Sequence, residues 1–252
     1  MFVDYAVAKP HAVILEYEDG TLSEPFYKED LLEYEPTSIY MEDGYIYLFK
    51  LMAHGHEVYC CRTTEVRKLA RRDDPSIGKR AIDDLNAVMY IRELFETNPS
   101  AFRLQTERDA RESRINYLVT MYNVYTKTGA ALKNQIHAFT KRLGRVPDEI
   151  PRVVSVCERE KASLMASLAS LLRHEISLVK SLGIKGLGPR HVAEIMALAN
   201  PMKAKSLSGY LYYCGRKAAA RKSGKFSRRA SGLYYQICLL YTSDAADEGL
   251  GV

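Results

Sequence analysis

The chain has 252 residues, 47% of them apolar, with eighteen tyrosines, no tryptophan and a formal net charge of +5. That composition supports packed cores and argues against wholesale disorder. No run of eighteen apolar residues offers a membrane span, and MFVDYAVAKPH lacks the basic start and apolar core of a secretory leader, so a cytoplasmic protein is expected.

The charge is divided along the chain. Residues 1–50 carry eleven acids and three bases, whereas 201–231 carry nine Lys or Arg and no acid. An acid-free basic segment is a candidate phosphate-binding surface, or simply a solvated face. Five cysteines without CxxC spacing fit reduced thiols. His54-Gly55-His56 has no further ligand cluster beside it and reads as a loop.

In chain order, Phe2–Val7 and Ala12–Tyr17 read as strands, with turn chemistry at Glu18–Thr21. Ser38–Met41 is a further strand, Tyr45–Ala53 a helix broken at His54–His56, and Glu57–Cys61 another strand. Together they suggest a mixed α/β sheet. Residues 70–79 read as a polar loop, and a helix is expected from near Arg80 to about Glu96.

The middle of the chain is helical. Leu118, Tyr122, Tyr125, Gly129, Leu132, Ile136, Phe139 and Leu143 alternate spacings of four and three, an a/d seam. Gly144, Pro147 and Pro151 close this helix and open the next. Leu164, Leu168, Leu171, Leu178 and Leu182 continue as a second stripe, so two long helices form an antiparallel hairpin. Gly129 marks a close approach to a partner helix. This spacing reports architecture, not chemistry.

Two groups of residues carry candidate chemistry. In Ile184–Ala193, an apolar residue, Gly186-Leu187-Gly188 and Pro189 resemble a helix-hairpin-helix. Its glycines would let the backbone turn tightly, its helix N–H groups face an anion, and Lys185 and Arg190 add charge. Such a turn grips DNA phosphates without reading sequence, or merely joins two helices. The second group is dispersed: Asp4 in the first strand, Glu42 at the end of a later one, Asp83 and Asp84 at a helix start, Asn86 shortly after. Carboxylates converging from several elements repel unless divalent cations lie between them. In an acid-rich stretch, however, well-spaced acids also arise by chance.

VDYAVAKPHAVIL resembles the opening strands of the RuvC-like domain in DEDD-type insertion-sequence transposases (the insertion sequence one-ten family, related to the Piv DNA invertase). YMEDGYIYLFKLMAHGHEVYCCRTTEVRKLAR is similar to that family's second-acid segment, and GKRAIDDLNAVMYIREL to its K-x-D-x-x-D-A helix. RINYLVTMYNVYTKTGAALKNQIHAFTKRLG resembles its coiled coil; LGIKGLGPRHVAEI and YYCGRKAAARKSGKFSRRAS resemble its C-terminal transposase domain. The likeness follows the family's order through about residues 2–237.

The resemblance implies an RNase H-like domain (1–98), a coiled-coil hairpin (99–182) and a small α-helical domain containing the helix-hairpin-helix (183–237), an α/β plus α chain. The last fifteen residues, CLLYTSDAADEGLGV (238–252), resemble translated adapter read-through and are read as a non-native tail; the C-terminal domain is then truncated. Asp4, Glu42 and Asp83 are implied as Mg²⁺ ligands. The fourth family acid falls on Asn86, whose neutral oxygen should weaken metal binding. Asp84 is only a reserve, about 200° around a helix from Asn86. Ser223, before Gly224, is implied as a nucleophile forming a covalent link to DNA, with Arg221, Lys222, Lys225 and Arg228 supplying positive charge. The implied activity is DNA strand cutting and rejoining by a homo-oligomer, dimer or tetramer, through the coiled coil, with DNA and a structured guide RNA as partners. A junction-resolving nuclease using the acids alone, or a decayed DNA-binding remnant, are the alternatives.

Overall fold

The computed structural model describes residues 1–5, 13–16, 20–21, 28–43, 47–75, 82, 84–183, 187–201, 204–217, 220, 224 and 226–237. The chain forms two compact units, Met1–Arg114 and Ile115–Val252.

The first unit is built on a mixed sheet of β1 (Phe2–Tyr5), β2 (Val13–Glu16), β3 (Ser38–Glu42), β4 (Glu57–Cys61) and β5 (Arg103–Leu104). Their order is β2-β1-β3-β4-β5. β1 and β2 pair antiparallel, with Asp4 opposite Ile14. β1 joins β3 in parallel through Phe2 and Tyr40. β3 and β4 run parallel from Ser38↔Glu57 to Glu42↔Cys61, and β5 closes the edge antiparallel to β4. The mixed α/β sheet expected from the sequence is present.

The crossover between β3 and β4 is α1 (Leu48–Ala53), which buries Leu48 and Leu51. It stops where expected: Gly55 takes φ +98, conformational space open chiefly to glycine, and the chain turns back into β4. One sheet face packs Val3, Ile39, Met41 and Val58 against Leu48 and Leu51 of this crossover and against Leu31, which precedes β3. The other packs Phe2 and Cys61 against Val66, Val88, Ile91 and Leu94. The last four belong to α2 (Thr63–Asp73) and α3 (Asp84–Thr97). Each such fully buried aliphatic side chain stabilises the fold by about 1.5–3 kcal/mol.

Three expectations need correction here. Residues 70–73 are not loop; they form the last turn of α2, because Val66 and Ala70 bury one face four residues apart. The helix expected from near Arg80 begins, within the described residues, at Asp84. β5 was not anticipated, since two residues carry no alternation to read.

The second unit contains most of α4 (Glu107–Leu143), then α5 (Glu149–Leu171), α6 (Arg173–Ser181), α7 (Pro189–Leu198) and α8 (Leu207–Tyr213), with residues 228–237 also helical. α4 and α5 make the expected antiparallel hairpin. A Cβ on Gly129 would lie 3.6 Å from that of Cys157, and Lys133 bridges to Glu158 at 2.8 Å. From Lys127 to Leu143 only Gly129, Leu132, Ile136 and Phe139 are less than exposed, so the sequence seam is the packed seam as far as Phe139, while its last member, Leu143, faces solvent. The second stripe, however, departs from expectation at Leu172. There the helix breaks, and the apolar face becomes Leu164, Leu168, Leu172, Ile176 and Val179. Leu178 and Leu182 instead face solvent. The five-leucine spacing treated one bent pair of helices as one straight helix.

α7 starts at Pro189 as expected, but Gly188 has an ordinary φ of −75. Gly183, at the end of α6, takes the left-handed conformation, and Gly186 lies outside the described residues. Ala199, Cys214 and Ala230 form a small core with Tyr210 and Tyr234. The Tyr210 hydroxyl donates to the Ala199 carbonyl at 2.9 Å and also meets the Tyr234 hydroxyl. Cys60, Cys61, Cys157 and Cys214 are buried free thiols. Among the described residues no helix is long and apolar enough to cross a membrane.

Candidate functional site

β1 and β3 pair in parallel at Phe2↔Tyr40, and the same register continued two residues further sets Asp4 of β1 level with Glu42 of β3. Glu42 in turn lies opposite Cys61. This is the carboxyl-terminal edge of the parallel strands, where open α/β sheets gather their ligand-binding groups. Three candidate ligands came from the sequence, and two of them lie on the paired strands β1 and β3. The Asp4 side chain and all of Asp83 lie outside the described residues. Asn86 is exposed on α3, the helix that packs across β1 and β2.

Glu42 is only partly exposed. Burial pushes its carboxyl pKa up, a hydrogen bond from the Thr63 side chain and the Arg67 charge pull it down, and neighbouring Asp43 pushes it up. The net direction is upward, so its negative charge is under-compensated. An added cation would offset that cost, and oxygen donors are the ligand type Mg²⁺ prefers. The Cys60 and Cys61 thiols on the same edge are raised to about 12, chiefly by burial, and so stay protonated and inert. Among the described residues no three His, Cys, Asp or Glu side chains gather into a metal cluster.

Sequence reasoning missed Thr63 and Arg67. Both lie in the first two turns of α2, and the signal was available in Arg62-Thr63-Thr64, polar chemistry suited to a helix start directly after a strand. Beside Asp43 a cavity of about 460 Å³ opens between Arg62, Glu65, Asn98 and Ser100. Its charges are mixed: Glu65 is paired with Lys68, and Arg103, also in the wall, is held bidentately by Asp109.

Of the basic candidates, Lys185, Gly186, Arg221, Lys222, Ser223 and Lys225 lie outside the described residues. Arg190 is engaged within the fold. Its guanidinium lies 3.1 Å from the Glu194 carboxylate and 5.6 Å from the Tyr122 ring centre, with roughly half the side chain exposed. It therefore clamps α7 to α4. Arg228 is exposed at the start of the terminal helix.

The ends of the segment containing Ser223 are tied together. The Ser227 N–H donates to the Tyr213 carbonyl at 2.9 Å. A Cβ on Gly215 would fall 2.7 Å from the Phe226 ring, so only glycine fits that closure. Gly224, directly after Ser223, takes φ +64, the left-handed region that favours glycine. Comparison with known proteins finds no matching family model and no matching curated relative.

Proposed function

We propose that this chain is a transposase or site-specific DNA recombinase of the DEDD-type insertion-sequence class, with an RNase H-like first unit. The observation that carries the reading is the parallel pairing of β1 with β3 at Phe2↔Tyr40, a register that, continued two residues further, sets Asp4 level with Glu42 at the carboxyl edge of the sheet. The tie between Tyr213 and Ser227, on either side of the basic sequence that contains Ser223, supports it independently. Asp4, Glu42 and Asp83 would hold Mg²⁺, which supplies polarisation of a scissile phosphate and activation of the attacking oxygen. Glu42 suits that role because its charge is poorly compensated by the protein alone.

In the serine step, Ser223 Oγ gives up its proton and bonds to phosphorus. The bond from phosphorus to one deoxyribose oxygen breaks, and that oxygen leaves as a hydroxyl carrying a proton. The phosphodiester count is unchanged, so the reverse reaction rejoins a strand without an energy source. The basic residues Arg221, Lys222 and Lys225 would neutralise the phosphate during this exchange. A homo-oligomer and a structured guide RNA complete the proposed assembly.

The test is incubation with DNA carrying the element's ends, its transcript and Mg²⁺. A detergent-resistant protein–DNA adduct is expected, abolished by Ser223→Ala and by Glu42→Gln. Cleavage at full rate in Ser223→Ala would sink the serine nucleophile and leave a junction-type nuclease. Asn86 favours a second reading, a DNA-binding remnant. Activity absent in the natural chain and restored by Asn86→Asp selects it.

A further inference from the structure

The distal half of the α4–α5 hairpin is a two-helix arm. From Gly129 to Leu143 it extends about 21 Å, at 1.5 Å per residue. Its charges are segregated. Near the stem, Glu158 accepts from Lys133 and Lys161, both at 2.8 Å, and Arg159 faces Glu160 at 3.5 Å. At the tip, Lys141, Arg142, Arg145 and Arg152 are exposed, and no acid pairs with them among the described residues. The two acids nearby, Asp148 and Glu149, occupy the start of α5, where they complement the helix dipole. Leu143 and Val153 are also exposed there, so little apolar packing restrains these side chains.

The acids of the stem are paired, whereas at the tip Lys141, Arg142, Arg145 and Arg152 outnumber Asp148 and Glu149 and leave that end net positive. We propose that the hairpin tip, through Lys141, Arg142, Arg145 and Arg152, is a second nucleic-acid contact that grips the phosphate backbone of duplex DNA. It rests on the DNA-acting reading above but uses none of the residues assigned there. Four guanidinium or ammonium groups without base-edge partners provide affinity and orientation, not sequence choice.

The experiment is fluorescence anisotropy with a 40-base-pair duplex across a range of NaCl concentrations, on the full chain. The variant replaces Lys141, Arg142, Arg145 and Arg152 together by Gln; all four are exposed, and circular dichroism checks that the hairpin persists. The slope of log K against log salt should fall in magnitude by about 2–4, as each lost phosphate contact removes about 0.9. Lys133→Gln with Arg159→Gln, which removes stem charges already paired, should leave the slope unchanged. Natural chain binding with an unaltered slope in the tip variant overturns the tip alone. Equal loss per charge in the stem variant also overturns it, in favour of net charge. Tip-dependent binding to phosphatidylserine vesicles with unchanged DNA binding overturns it in favour of a lipid surface. No duplex binding by the natural chain overturns the DNA-acting reading itself.

Discussion

The two units of this chain assemble their chemistry in opposite ways. In Met1–Arg114 the candidate site is made by strand register: Asp4 and Glu42 are brought level by a parallel pairing that requires a crossover, and Glu42 is then conditioned by Thr63 and Arg67 from the next helix. In Ile115–Val252 the candidate surfaces are contiguous in sequence, carried on helices whose packing follows local periodicity. The candidate site of the first unit therefore depends on long-range pairing, where one slipped strand removes it. The candidate surfaces of the second depend on local stretches of charge, where single substitutions should act additively.

The largest expected effect concerns the second unit's own core. Leu172 is completely buried at the break between α5 and α6. Leu172→Ala should cost about 2–5 kcal/mol in urea denaturation. Ile136→Ala, on the half-exposed arm, should cost clearly less. Equal losses would mean the arm is as well packed as its base, and the contrast between core and arm would fail.

Two glycines sharpen the same contrast. Gly215 combines φ +67 with a Cβ position 2.7 Å from Phe226. Gly215→Ala should cost at least about 1–2 kcal/mol for the left-handed backbone alone and should weaken DNA binding by loosening the Tyr213–Ser227 closure. Gly129, in mid-helix, has 3.6 Å to Cys157. There, Gly129→Ala should be neutral or stabilising by up to about 1 kcal/mol, because alanine is the better helix former. Thermal unfolding of the two variants beside the natural chain checks both signs.

A smaller effect separates the first unit by pH. His56 is buried, and its Nδ1 accepts the Thr37 N–H at 3.2 Å, tying the segment before β3 to the start of β4. Burial, then the neighbouring His54, lowers its pKa below 6.5, against backbone interactions with Leu31 and Thr37 that raise it. The unfolded chain therefore takes up a proton first. Stability is fully present above pH 6.5 and declines as pH falls toward the folded pKa, by at most about 1.4 kcal/mol per pH unit for one proton. Urea midpoints at pH 7.5 and 5.5 should show that decline, flattened in His56→Gln.

The contrast between the units also explains what the sequence could tell. β3, β4 and the α4 seam were legible because alternation and heptad spacing are local properties of consecutive residues. α2 was hidden by its arginines and by Pro75 just beyond its end, which together read as loop although Val66 and Ala70 bury one face. The bend at Leu172 was hidden because leucines on either side of the break continue an apparently regular stripe. The acids at positions 4 and 42 could be named one at a time. That they lie level could not be read, since parallel pairing depends on the whole crossover. Thr63 and Arg67 act on Glu42 only once α2 starts beside the end of β3.

The most direct test of the acid site uses the stability of Glu42 itself. Its pKa is raised by burial, so its ionisation costs stability as pH rises above 4.5. Without metal, Glu42→Gln should melt at or slightly above the natural chain at pH 7.5; 1 kcal/mol corresponds to about 2–4 °C in a domain of 150–250 residues. Adding 10 mM Mg²⁺ should then raise the melting temperature of the natural chain and leave Glu42→Gln unmoved, reversing their order. Equal shifts in both proteins, or none in the natural chain, would contradict a metal-holding acid site.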